Sequence, residues 1–406
     1  MQRLLRSALV AGFMLLAALG AAAQSLQYSA HGTVSDAYNG RPLQSVNISV
    51  PGRQFATVSN ADGDFIIKSD APIRSLEFSC IGYKKLRMTV QEGEVSAMLV
   101  PEKYLLDASS IISGNPEEIV RSAIGRIPYN YSDRPELLRC FYRETLQKRS
   151  RYISVSEAVA RLYRTPYVWS TGTDKTALEK SRIIMSQRKR DTLSVKMMGG
   201  PTLAATSDVV KNKDVLFQDI EEGMYAFEMG QPQYIGDRLQ FVIHFHPDAD
   251  ANYALYYGTF YIDRELLSFT RIEMSMGMKD RGKVERQVLV KKPRGLRFNP
   301  KEISLVMTYR LDGEISRLEY FRSVIRFNCD WKKRLLATSY AVINETVVTD
   351  VVTPPTPIQR KEIFHPTDFM SDKAGEFLDP EFWKDYNIIE PTESLEHAVG
   401  RLHKTY

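Results

Sequence analysis

Leu239-Gln-Phe-Val-Ile-His-Phe-His246, Tyr256-Tyr-Gly-Thr-Phe-Tyr-Ile-Asp263 and Leu267-Ser-Phe-Thr-Arg-Ile-Glu-Met-Ser-Met276 are three consecutive runs rich in β-branched and aromatic residues. Polar breaks separate them, Pro247 to Asn252 first and Asp263-Arg264-Glu265 next. Such runs fit a pleated surface and such breaks reverse the chain, so the stretch predicts an antiparallel meander. Between Leu267 and Ile272 the alternation slips once, which predicts a bulge or twist at that point. Nothing in the meander carries an obvious reaction.

The same style continues on both sides. Upstream, Leu138 to Leu146 reads as a strand with Tyr152 to Tyr163 as its hairpin partner, although Ser132-Asp133 and Pro135-Glu136 also resemble a helix start. Arg182 to Arg190 follows suit, Met197-Met-Gly-Gly-Pro-Thr202 is a break, and Leu203 to Val210 suits a short helix. Downstream come Lys283 to Lys291, Lys301 to Leu311, the hairpin signal Asp312-Gly313, Glu314 to Phe327 and Ser339 to Val352. Asn115 is placed to cap a helix with Pro116 at its first position and Glu117-Glu118 in its first turn; the stripe Ile119, Val120, Ala123, Ile124, Ile127 ends at Pro128. A last helix spans Ser394 to His403, capped by Ser394 or Thr392. The expected division is a linker and helix over 105–135, an antiparallel β-rich domain over 136–353 and a tail over 354–406.

A chain of 406 residues is too long for one ordinary core, and 43% hydrophobic with 25% charged content is globular. Setting Arg3 and Arg6 aside reduces the net charge from +5 to +3, and no basic block interleaved with aromatics points to nucleic acid. Those two arginines, the apolar run Leu9 to Leu19 and Ala21-Ala22-Ala23 compose a signal peptide over 1–23. The run is short of the ~20 residues a span needs, and no cysteine follows to take an acyl anchor. An exported protein of the periplasm or outer membrane, without a transmembrane segment after signal removal, is expected. Cys80, Cys140 and Cys329 allow at most one bridge and have no metal-ligand spacing; three buried thiols are the favoured reading.

Residues 24–104 are all β, with short strands at intervals of roughly ten residues and Gly/Asn/Asp turns, as in a small sandwich. Gly32-Thr-Val-x-Asp36, Pro42-Leu-x-x-Val-Asn-Ile-x-Val50, Thr57, Asp62-Gly-Asp-Phe65 and Ile81-Gly-Tyr83 resemble the carboxypeptidase regulatory-like domain. The resemblance implies a prealbumin-like β-sandwich, common in Bacteroidetes envelope proteins and at the head of TonB-dependent receptors, and an accessory role with no catalytic residues. Phe141-Tyr-Arg-Glu144, Ser156-Glu-Ala-Val159, Gly199-Gly-Pro201, Tyr257-Gly-x-Phe-Tyr-Ile-Asp263 and Glu381-Phe-Trp-Lys-Asp-Tyr-Asn387 are similar to the body of Bacteroidetes proteins that carry the same leading domain. The Gly258 to Asp263 strand also resembles lipoprotein-carrier folds, in which a curved antiparallel sheet forms a half-barrel around helices; this is fold-level analogy. The fold class expected is an all-β sandwich followed by an α+β domain with a curved antiparallel sheet.

Candidate chemistry is sparse. His244 and His246 share one face of a strand, but no third ligand stands at a recognisable spacing. Asn60, Asp62 and Asp64 invite a calcium loop, yet the twelfth position is Ala71 rather than a glutamate, so a plain turn is expected. No nucleophile elbow, phosphate loop, zinc-protease or dinucleotide motif occurs, and no cofactor is implied. The aromatics are more suggestive. Tyr257, Phe260, Tyr261, Phe241 and Phe245 mark both faces of the meander, and an apolar face must meet something. Either helices and the leading domain cover it, or it forms a groove for an acyl chain or a partner strand. The expected function is non-enzymatic binding in the cell envelope, with an outer-membrane protein as partner; the alternatives are a carrier of a lipid or other apolar ligand in the sheet's concavity, and a hydrolase of unfamiliar geometry.

Overall fold

The computed structural model describes residues 28–91, 93–102, 114–169, 174–191, 193, 195–197, 199–331, 337–370, 375–376 and 382–403. The expected signal peptide and the linker residues 105–113 lie outside the described residues.

Seven strands form the leading sandwich: β1 (Tyr28–Asp36), β2 (Asn47–Ser49), β3 (Ala56–Val58), β4 (Asp64–Ser69), β5 (Ser75–Ser79), β6 (Leu86–Thr89) and β7 (Glu94–Leu99). One layer has the order β4-β1-β7 and the other β3-β2-β5-β6. Period-two alternation sends Val34, Ile48, Phe65, Ile67, Leu76 and Phe78 into a common core. Phe65 and Phe78 meet edge-on with centroids 5.6 Å apart, a favoured aromatic geometry. The Asn60 loop closes as an Asx turn: its Oδ1 accepts from the amides of Asp62 and Asp64, each at 2.9 Å. Gly63 in that turn has φ +83°, and a Cβ there would stand 2.5 Å from the Val34 carbonyl oxygen.

The larger domain is built on β8 (Glu136–Lys148), β9 (Arg151–Arg164), β10 (Lys175–Met185), β11 (Lys196–Met197), β12 (Tyr225–Met229), β13 (Gln233–Ile235), β14 (Arg238–Pro247), β15 (Tyr256–Asp263), β16 (Phe269–Met276), β17 (Leu289–Lys291), β18 (Leu296–Asp312), β19 (Ile315–Trp331), β20 (Thr338–Val352) and β21 (Gly375–Glu376). A curved sheet of 12 strands runs β12-β14-β15-β16-β18-β19-β20-β8-β9-β10-β21, with β13 on the edge of β14. The predicted meander is β14-β15-β16, and the slip in its alternation is a bulge: Tyr261 lies opposite Arg271 and Ile262 opposite Phe269, leaving Thr270 extra. Leu138 to Leu146 is a strand paired with Tyr152 to Tyr163, the hairpin partner expected for it, and not a helix.

Helices occupy what we term the inner face. The first, α1 (Pro116–Asn130), is capped by Asn115, whose Oδ1 accepts from Glu117 at 3.0 Å, and it buries Val120, Ala123, Ile124 and Ile127. It runs past the expected stop at Pro128 because the Tyr131 amide still reaches the Ile127 carbonyl at 3.2 Å, so the last turn closes around the proline. Two short helices follow, α2 (Leu203–Thr206) and α3 (Phe217–Glu221). Lys283 to Lys291 departs from the strand series. Its first part is helix α4 (Arg281–Val288), started by Asp280 accepting from Gly282 and Lys283, with Val284 and Val288 buried one turn apart.

The outer face carries the sandwich and the tail, which ends in α5 (Glu393–His403). The tail stitches the two domains together. Asn387 bonds both main-chain groups of Lys68, accepting from its amide at 2.6 Å and donating to its carbonyl at 3.0 Å. Thr57 donates to the Ile388 carbonyl at 2.9 Å, and Val58 of the sandwich shares a buried cluster with Phe141, Val347, Trp383 and Ile389. Beneath the tail an alternating row of charges crosses five adjacent strands in register: Arg322, Glu345, Arg143, Glu157 and Arg182. Arg143 and Arg182 grip Glu157 at 2.6 and 2.7 Å, and the Trp383 indole donates to it at 2.9 Å. Burial opposes ionisation of Glu157, but the two guanidiniums outweigh it and hold the carboxyl below its ordinary range. All three cysteines are free; burial pushes Cys80 and Cys329 up to about 11 and Cys140 up to about 12, so they serve as small apolar groups. Cys140 and Cys329 are buried and Cys80 is half-buried.

Candidate functional site

One end of the inner face is sealed. Phe245 and Phe260 stack with centroids 4.3 Å apart, Phe269 meets Phe260 at 5.4 Å, and Phe217 from α3 lies flat over Phe269 at 5.0 Å. Val209, Val210, Leu216 and Ile220 complete the cover with no exposure. This cover is anchored by buried charges: Arg164 meets Asp208 at 2.8 Å, the Tyr309 hydroxyl donates to Asp208 at 2.5 Å, and Lys211 donates to the Pro166 carbonyl at 2.6 Å. Of the five aromatics singled out in the sequence, Phe245 and Phe260 thus face the protein's own Phe217, and Phe241 packs half-buried at their margin. Tyr261 is buried toward the outer side beside Arg271, and Tyr257 alone is exposed, at 49%. The structure does not gather these five into one groove. His244 and His246 are both exposed, His244 lying 2.9 Å from the Thr259 hydroxyl, and among the described residues no group of three or more His, Cys, Asp or Glu is placed to hold a metal ion.

The other end is hollow. A cavity of about 210 Å³ lies between β8, β9, β10 and β20 below and two covering segments above, around residues 193–200 and 368–370. Leu146, Ile183, Met185, Val195, Met197 and Phe369 give it a mostly apolar wall. The cover brings Val195, Met197 and Phe369 to the wall and closes down on its surroundings through two glycines. Gly200 sits at φ +82°, where a Cβ would come within 2.9 Å of the Phe364 ring; a Cβ on Gly199 would stand 3.4 Å from Glu144 Oε2. Strand β11 adds only two residues of pairing to β17. Lys196 lies 3.9 Å over the Phe369 ring, tying the two covering segments together.

Glu144, with Ser154, Ser156, Lys196 and Asp368, supplies the polar part of this wall. Burial raises its carboxyl above the ordinary range. The Tyr142 hydroxyl stands 3.0 Å from Glu144 Oε2 and 2.8 Å from Asn344 Oδ1. The Tyr142 hydroxyl is placed to donate to either acceptor. The site therefore pairs a largely apolar wall with a carboxyl that burial shifts upward. Ser156 lies directly opposite Glu144 across the β8–β9 pair, and Ser154 lines the same wall. Sequence reasoning missed these residues. Glu144 and Gly199-Gly200 did stand out in the sequence, but strand register alone brings them to one hollow.

The model of the CarboxypepD_reg-like domain matches residues 30–109, and this segment is such a domain, followed by the β-rich region. No curated protein sequence matches the chain. Among solved structures, the chain is similar to a protein described as an outer membrane lipoprotein-sorting domain from Vibrio parahaemolyticus, at 11% identity and TM-score 0.27, covering 61% of this chain and 96% of that one. A LolA superfamily protein from Nitrosomonas europaea matches at 8% identity and TM-score 0.21, covering 59% and 94%. A membrane-associated protein of unknown function from Bacteroides fragilis matches at 10% and TM-score 0.15, covering 80% and 98%. At such scores none of them lends its role to this chain.

Proposed function

We propose that the chain is a non-enzymatic binding protein of the cell envelope that holds a small apolar molecule, or the end of one acyl chain, in the hollow at the β8–β10 end of its sheet. One observation carries this reading: a cavity of about 210 Å³ with a largely apolar wall lies on the same face on which Phe217 covers Phe245, Phe260 and Phe269. Protein interiors pack densely, with few voids larger than a water molecule. The hollow is smaller than the roughly 300–1,000 Å³ clefts that enclose drug-sized ligands, so it suits a single short chain. Glu144 and the Tyr142 hydroxyl beside it would give the hollow a polar contact for the head group of that chain. The leading run with Arg3 and Arg6 supports the envelope setting.

Calorimetric titration with 1-decanol tests it. Saturable one-site binding is expected in the full chain, lost in Val195→Trp, which fills the hollow, and kept in the surface variant Tyr257→Ser. Equal binding by the Val195→Trp protein, or no saturable heat in the parent, would overturn the proposal.

A further inference from the structure

We infer that the junction between the two domains is a second binding site, separate from the apolar hollow, for a small anion that also carries hydroxyl groups, of the sugar-acid class. A cavity of about 250 Å³ lies on the outer face, walled by Gln44, Ser45 and Asn47 of the sandwich and by Arg271, Thr308 and Arg322 of the sheet. The register explains the sheet side: Arg271, Thr308 and Tyr320 are direct cross-strand neighbours on β16, β18 and β19, and Arg322 lies two residues along β19 on the same face.

Three buried polar atoms on this wall have no hydrogen-bond partner: Asn47 Oδ1, Thr308 Oγ1 and Arg322 Nε. Leaving a buried polar atom unpaired is costly, and these three come from both domains. Asn47 is already oriented, because its amide nitrogen donates to Glu319, and this leaves the oxygen unmatched. Arg322 ends the charge row with the loosest pairing in it. Its Nε stands 3.9 Å from Glu345, which instead accepts the Tyr320 hydroxyl at 2.7 Å. Two guanidiniums and, among the described residues, no carboxylate line the cavity; Arg271 Nε is held by Glu273 at 2.6 Å, which leaves its terminal N–H groups for a ligand. The donors Arg322 and Arg271 select an anionic acceptor, and Asn47 Oδ1 requires a donor on the same ligand; Thr308 can serve as either. Carboxylate and hydroxyl groups on one small ring meet these needs. The cavity, about 250 Å³, suits a ligand of monosaccharide size.

Titration of the full chain with glucuronate and galacturonate, against glucose, reads this out by calorimetry and by the shift of the thermal midpoint. Saturable binding of an acid, at least about tenfold tighter than glucose and weakened about tenfold in Thr308→Val, is expected from the loss of a buried hydrogen bond. Arg322→Met should abolish acid binding, and retained 1-decanol binding in that variant shows that the fold and the apolar hollow are intact. Absence of saturable binding by either acid, binding indifferent to both substitutions, or a crystal structure from acid-soaked crystals showing only ordered water at the three atoms would each overturn the inference.

Discussion

The two ends of the inner face are made of the same material and finish differently. At the β14–β16 end the apolar side chains meet a cover that brings a large ring, Phe217, and a buried ion pair, Arg164 with Asp208. At the β8–β10 end they meet a cover that carries Val195, Met197 and Phe369, held by Gly199, Gly200 and a two-residue strand, and a cavity is left. An apolar sheet face does not by itself declare a binding groove. What decides is how closely the segment crossing it packs down onto the sheet.

Substitutions break this contrast in order of size. The largest effect is expected at the anchor. Arg164→Met leaves Asp208 buried without its cation and should cost about 3–5 kcal/mol in urea unfolding; a loss below about 1 kcal/mol would remove the ion pair from its anchoring role. Phe260→Ala opens a void in the sealed end and should cost about 3 kcal/mol or somewhat more, without gaining 1-decanol binding at the new void.

Acidity separates the two faces in the opposite sense. Glu157 is held below its ordinary range by Arg143 and Arg182 against its burial, so its contribution is present above pH ~4.5 and fades as pH falls through the lower folded value. Glu144 is raised by burial, so its contribution is complete below pH ~4.5 and declines as pH rises toward its folded value. Relative to the parent, Glu157→Gln should flatten the acid limb of stability, whereas Glu144→Gln should gain ground between pH 4.5 and 7; denaturant midpoints across that range check both. The smallest effect belongs to Met185→Ala at the rim of the hollow, where a 41% exposed side chain should change stability by no more than about 0.5 kcal/mol.

Local signals were legible. The skipped alternation at Thr270 became a bulge, Asn115-Pro116 became a helix start, and Asp312-Gly313 became the tight link between β18 and β19. Each depends on a few neighbouring residues. The Lys283 to Lys291 stretch misled because Asp280, just outside it, supplies the cap that makes its first part helical. Longer-range features left no local trace. Glu157 finds Arg143 and Arg182 only after β8, β9 and β10 are in register, and the charge row draws on residues as distant as Arg143 and Arg322. The aromatic pattern of the meander identified an apolar face but not its cover, since Phe217 lies in a segment with no periodicity of its own. For the same reason the hollow, which contains none of the meander's aromatics, could not be read from their spacing.

Methionine methyl groups report on both ends in one experiment. Met185, Met197 and Met370 line the hollow, while Met274 and Met307 lie in the sealed core. In ¹³C-methyl methionine NMR of the full chain titrated with 1-decanol, the account predicts saturable shifts at Met185, Met197 and Met370 with Met274 and Met307 unmoved. Shifts centred on Met274 and Met307, or none at the first three, would contradict it.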